Sequence, residues 1–358
     1  MTAVLASCSH VVVTHELDHP TPYNCFKPHS GQINCVKWNH NNQIIASGGD
    51  DGQIVLSLAE MTEKVFIYED ESSKGVSVTS IDFTSNSKYL VSGGADGVVR
   101  LWDLKRSILK RSFKSHLDEV TSVAWDPLDS HFASGSRMGD IVLHSIVSES
   151  SVANFKNKQT RGIRDLRFSP FKHNLLASAS EDGSVLVWDV NTRKMTTAFP
   201  TFHQAEATGI GFSPLNNLLM ASCGLDQKIN FFDIQDKRVV KTLETNSPLT
   251  SLAFFGDGHT IAVGTIVGTI LVYDLRQSSS AKTILKGHDT YPVNAIEFIN
   301  KRKEASSKTP KQTNVQSGSS TLMSSTGSDN SKQAQDVESF DQASSPYNST
   351  VSRTTRHP

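Results

Sequence analysis

The sequence predicts an all-β fold: one seven-bladed propeller over residues 1–300, its closing blade built from both chain ends, followed by a disordered Ser/Thr-rich tail over 301–358. Three features predict it. A β-branched run, a turn bearing Gly, Asp or Ser, and a second run ending in an aromatic residue and Asp recur at the period of a four-stranded blade. Each unit opens on an alternating strand. The two ends carry complementary pieces of one further unit.

The repeat is clearest in GVVRLWDL (97–104), GSVLVWDV (183–190) and GTILVYDL (268–275), and weaker in GQIVLSLA, GDIVLHSI and QKINFFDI. The aromatic slot is occupied in turn by Ser57, Trp102, His144, Trp188, Phe232 and Tyr273, which stand 41 to 45 residues apart. The opening strands follow His29, His116, His203 and His288, whereas those near Lys74, Thr160 and Ser247 lack the His but keep the strand. Alternation places Ile33, Cys35, Val120 and Ser122 on the buried face. Six complete units run from His29 to about Leu285. Residues 288–300 then supply an opening strand and residues 4–26 the remainder of a seventh unit, with His15 and Glu16 in the Trp-Asp slots, so the ring closes without an exposed sheet edge around it. After Asn300 roughly a third of the residues are Ser or Thr and the apolar ones keep no period, a composition too polar to offset its ordering entropy.

Composition narrows the function classes. With 35 Lys+Arg against 36 Asp+Glu the formal charge is −1, which gives no global reason to bind nucleic acid or an anionic membrane. No apolar run approaches the ~18 residues of a membrane span, and the N-terminus lacks the basic region of a signal peptide. Cys8, Cys25, Cys35 and Cys223 show no metal or disulfide spacing, so reduced thiols in the cytoplasm are expected.

Several motifs suggest chemistry. His15-Glu16-Leu17-Asp18-His19 matches HExxH, but that zinc chemistry needs a helix, and VVVT before it with Pro20 and Pro22 after it read as a strand entering a turn. Along a strand the two His lie ~13 Å apart. Serines at matching places in the second strands, with the repeat His and Asp residues, have the composition of a hydrolase triad. Recurrence argues for a structural role, since one active site needs only one set. GGDDG (48–52) and GGADG (93–97) lack the phosphate-loop pattern and read as strand turns with Gly at positive φ. No enzyme activity, metal or cofactor is expected. Arg161, Arg164 and Arg167 read as a solvated face or as a contact for an acidic partner.

On these residues the chain resembles the WD40-repeat family, whose blades are braced by His, Ser/Thr, Trp and Asp. The resemblance assigns that role to His29, Ser47 and Asp51 in blade one; Ser92, Asp96 and Trp102 in blade two; His116 and Ser134 in blade three, with His144 in the Trp slot; Ser178, Asp182 and Trp188 in blade four; and His203, Ser222 and Asp226 in blade five, with Phe232 substituting. No blade carries the full set, which implies that packing holds the blades more than the network does. SGSRMGDIVLHS (134–145), FSPFKHNLLASASEDGSVLVWDVNT (168–192), FSPLNNLLMASCGLDQKINFFD (212–233) and SPLTSLAFFGDGHTIAVGTIVGTILVYDLR (247–276) further resemble a group of WD-repeat adaptors that target the γ-tubulin ring complex. That resemblance implies a protein-binding scaffold of centrosomes and spindle poles. It also implies a helical γ-tubulin-binding segment elsewhere, which this sequence does not show before Pro358, so the chain is expected to carry the targeting half. Thr309-Pro310 and Ser344-Ser345-Pro346 are proline-directed phosphorylation candidates, the latter also resembling a polo-kinase docking core. Tyr273-Asp274-Leu275-Arg276 resembles the WDxR signature of cullin-RING substrate receptors, with Arg276 as the contact, and offers an alternative function.

Overall fold

Each repeat folds as a four-stranded antiparallel meander because its β-branched runs are long enough for one strand apiece and its turns are too short for a crossover. The computed structural model describes residues 3–17, 19, 21–155, 161–200, 202–277 and 280–299. Within them 28 strands form seven four-stranded sheets. Blade one comprises, from the axis outward, Ile33–Trp38, Ile44–Gly49, Ile54–Leu58 and Lys64–Tyr68. Blades two to six repeat that order over 78–114, 120–155, 163–199, 207–244 and 249–286. The seventh pairs Ala295–Phe298 with Val4–Cys8, which continues through Val12–Glu16 and Asn24–Phe26, so the chain ends meet in one sheet as expected. The disordered-tail expectation falls on 301–358 and lies outside the described residues.

The core lies between sheets. Cys35, Ile54, Leu56 and Tyr68 of blade one pack on Val78, Ile81, Leu90 and Trp102 of blade two, and each junction around the ring repeats the arrangement. Full burial of one such side chain stabilises by roughly 1.5 to 3 kcal/mol. The Gly-Gly pairs serve this packing, which corrects their reading as turns. A Cβ on Gly48 would lie 2.6 Å from Val78 Cγ1, and one on Gly93 2.6 Å from Val120 Cγ1. Only Gly52 and Gly97 sit in the turns at positive φ, 79° and 74°.

The inner strands do not alternate strictly. A bulge follows the first residue in every complete blade, as between Ile33 and Cys35 or Val120 and Ser122, so that Ile33 and Val36 are both fully buried. The residue in the bulge is released to face the next blade. There Asn34, Thr79, Thr208 and Thr250 donate to the carbonyls of Val78, Val120, Leu249 and Val293 at the start of the following blade, and Asn294, just ahead of Ala295–Phe298, donates to that of Ile33. The last of these bonds joins the two ends of the ring.

Candidate interaction surface

Three blades hold a His between a Ser and an acid. In blade one His29 Nε2 meets Ser47 Oγ at 2.9 Å and Nδ1 meets Asp51 Oδ1 at 2.8 Å. In blade five His203 contacts Ser222 at 2.6 Å and Asp226 at 2.8 Å, while Phe232 fills the aromatic slot. In blade three His116 contacts Ser134 at 2.7 Å, and Ser134 also meets His144 Nε2 at 2.8 Å. The acid there is Asp140, 2.6 Å from His116 Nδ1. Sequence reasoning missed it because Met138 occupies the usual turn position and the acid stands two residues later, so blade three has its His, Ser and acid, with His144 in place of Trp. Burial is the largest single influence on the carboxyls of Asp51, Asp140 and Asp226 and would raise them, but the imidazole and the neighbouring amide and hydroxyl hydrogen bonds together outweigh it and hold all three below the usual range.

The other blades depart. Trp102 and Trp188 donate Nε1 to Ser92 and Ser178 at 2.9 and 3.0 Å. Asp96 is not bound to a His: Arg100 holds it at 2.6 Å and Asp70 at 2.7 Å, doing in blade two what the absent His does elsewhere. The signal for this was the Arg within GVVRLWD together with the acidic run 69–71. Among the described residues Asp182 accepts only the Ser184 amide, at 2.9 Å, and so caps its turn outside any brace. Blade six has Val263 and Tyr273, both buried, in the places of the Ser and the Trp, and among the described residues no His-Ser-acid brace. In the closing blade His288 Nε2 meets Ser7 Oγ at 2.8 Å, a pair unassigned from sequence. His15 fills the Trp slot with neither ring nitrogen bonded among the described residues. His15 is fully buried while the His19 side chain is 69% exposed, so the HExxH histidines do not share a face.

The Ser-His-Asp order of blades one, three and five is that of a nucleophile relay, yet Ser47, Ser134 and Ser222 are sealed inside their sheets, where no substrate carbonyl reaches them. Their positions make them clamps between a blade's opening loop and its central turn.

The arginine cluster divides. Arg161 is exposed, and Arg164 lies 3.8 Å from Glu206 and 4.0 Å from Glu181. Arg167, read as part of a solvated face, instead lines the central channel, which corrects that reading. It stands 3.7 Å from Asp165, in the same strand position as Lys37, Asp82 and Glu297, and Lys37 bridges the two acids at 3.5 and 3.2 Å. The period puts these four residues at one register position, each preceding the aromatic end of an inner strand. Arg276 is 62% exposed and held by Asp274 at 2.8 Å. Thr309, Ser344 and Ser345 lie outside the described residues.

A seven-bladed ring of repeats with buried braces is the architecture of a WD40-repeat propeller, and residues 20–56, 64–103, 107–140 and 149–189 of the chain match the WD domain, G-beta repeat. Residues 171–342 also match the N-terminal domain of nucleolar protein 10-like proteins. Its propeller closely resembles protein NEDD1, with 36% identity to the Homo sapiens protein and 39% to that of Bos taurus over 268 residues, 74% of this chain. The chain spans 40% of the length of those relatives. A chain in the crystal structure of a mitotic checkpoint complex shares the fold with a TM-score of 0.69 at 20% identity, covering 77% of this chain and 85% of that one. Both family and relatives point to a non-catalytic protein-binding scaffold.

Proposed function

We propose that this chain is a non-enzymatic adaptor that directs the γ-tubulin ring complex to centrosomes and spindle poles for microtubule nucleation, and that its propeller carries the targeting half of that task. The observation that supports the reading best is the likeness to NEDD1, 36 to 39% identity over 268 residues that take in 74% of this chain. A ring of short loops on fixed strands is pre-organised for docking, which lowers the ordering cost of each contact. Proline-directed mitotic kinases are proposed to act on the candidate sites Thr309, Ser344 and Ser345, with Ser344-Ser345-Pro346 as a docking core for a polo-type kinase. Co-precipitation of tagged 1–358 from mitotic extract tests the reading. Centrosomal and spindle proteins are expected to come down with it, and their absence would sink it.

A second reading, substrate receptor of a cullin-RING ligase, draws support from one observation: Asp274 holds the exposed Arg276 guanidinium through two hydrogen bonds, 3.0 Å at Nε and 2.8 Å at Nη2, and so fixes its direction. Loss of ligase-adaptor binding in Arg276→Ala would favour it.

A further inference from the structure

In a four-stranded meander the first and third hairpins leave at the same end of the blade, so the turns between strands one and two and between strands three and four share one face of the ring. On that face the first turns of blades one and two are polar, Asn39-His40-Asn41-Asn42 and Thr84-Ser85-Asn86-Ser87. The next three blades break the pattern together. Each places a proline and then a large apolar residue at the same register position: Pro127-Leu128, Pro170-Phe171 and Pro214-Leu215. Leu128, Phe171 and Leu215 are 62, 45 and 63% exposed.

A lone exposed leucine says little, but matched positions in three consecutive blades make an arc. The turns are also built to hold it. Ser169 Oγ accepts from the amides of Phe171 and Lys172 at 3.4 and 3.2 Å, and Ser213 Oγ accepts from Leu215 and Asn216 at the same two distances. Proline fixes the following bend, so both apolar side chains leave the ring on the same rigid turn. Outside the arc on the same face stand Lys172, Arg193 and Lys194, all exposed and without an acidic partner among the described residues. The nearby Glu149 and Asp236 are already paired, with Lys110 and Arg238.

We infer that the arc of Leu128, Phe171 and Leu215 is a docking surface for an amphipathic helix of a partner protein, its apolar stripe seated on the three turns and its flanking acidic residues facing Lys172, Arg193 and Lys194. Charge complementarity selects an acidic rather than a basic helix. A helix satisfies the arc because its apolar residues recur every three or four positions along one line. The inference rests on the scaffold reading only in taking the propeller as protein-binding, and its test does not involve centrosomal recruitment.

The full chain is titrated with two synthetic helical peptides, one with Leu at i, i+3 and i+7 flanked by Glu, the other with Lys in place of each Glu. The Glu peptide is expected to bind at least about tenfold tighter than the Lys peptide, and Phe171→Ser with Leu215→Ser to weaken it about tenfold. Lys172→Glu with Lys194→Glu, which leaves the apolar turns intact, should reverse the preference, while His40→Ala on blade one should change nothing. Equal binding of both peptides, or full binding by the double serine variant, would overturn the inference. So would sedimentation showing a dimer that the serine variant abolishes, because a second copy would then be the occupant.

Discussion

Blade three and the closing blade solve the same problem with opposite chemistry. Blade three ties its opening loop to its central turn through Asp140, His116, Ser134 and His144, an unbroken chain of contacts between 2.6 and 2.8 Å. The closing blade has the Ser7 and His288 pair and then stops: His288 Nδ1 and both nitrogens of His15 are buried without partners among the described residues. The reason is local. Three residues separate the paired Cys8 and Val12, against five between Gly48 and Ile54 in blade one, so the shorter hairpin has no position for the acid. The blade that joins the chain ends thus depends on strand pairing, on apolar packing and on the Asn294 bond to Ile33, measuring 2.7 Å.

The sharpest way to break this comparison is to remove the central His from each. His116→Ala leaves Asp140 charged and partly buried with only Ser136 beside it, and Ser134 with His144 and the Val142 carbonyl, and is expected to cost roughly 2 to 3 kcal/mol. His288→Ala leaves no carboxylate behind and is expected to cost about 1 to 2 kcal/mol beyond its lost packing. Urea unfolding of both variants checks the order. Equal losses would mean that the acid adds nothing to the brace.

How much of this was legible in the sequence follows the range of the interaction. The blade period, the aromatic slot and the divided closing blade are local patterns, and all are where the sequence puts them. The repeat His, Ser and Asp residues of blades one and five were legible for the same reason, since each repeat carries its own copy. Asp140 was not, because a two-residue displacement removes it from the ruler, nor was Arg100, which reaches Asp70 across the blade from an outer loop. Arg167 misled because alternation cannot tell the central channel from the outer surface; both are polar, and only ring closure decides which one a strand faces.

Acid should separate the two blades next. Burial depresses His15 and His288 to about 4, with His15 adding repulsion at His288. Both folded values lie below the unfolded value near 6.5, so the unfolded chain binds more protons between about 6.5 and 4, and the stability present above pH 6.5 is lost as the pH falls through that window. Each group contributes on the order of 1 kcal/mol per pH unit there. His144, pushed down to about 3 by burial and by the nearby His116, adds a dependence of the same sign, but Ser134 and Ser151 hold both of its nitrogens. Hydrogen exchange from pH 7 to pH 5 is therefore expected to open Val4–Cys8 and Ala295–Phe298 before the strands of blade three. Opening of blade three first would reverse the ranking.

The smallest effect has the opposite sign and tests whether an unpaired polar group in a blade is a defect or a reserve. Ser57 occupies the slot that holds Trp102 and Trp188 in blades two and four, and its buried hydroxyl has no partner among the described residues. His29 already satisfies Ser47 from the other side, so the brace of blade one does not need a donor at position 57. Leaving a hydroxyl buried and unpaired costs about 1 kcal/mol or more, and removing it leaves only an oxygen-sized gap. Ser57→Ala is accordingly expected to raise the urea midpoint by up to about 1 kcal/mol of stability, with an unchanged denaturant slope. The same substitution at Ser47, whose hydroxyl bonds His29, should lower it by about 1 to 2 kcal/mol. If both variants lose stability, the hydroxyl at 57 is satisfied in solution by a water, and the blades differ less in their polar bookkeeping than in their packing.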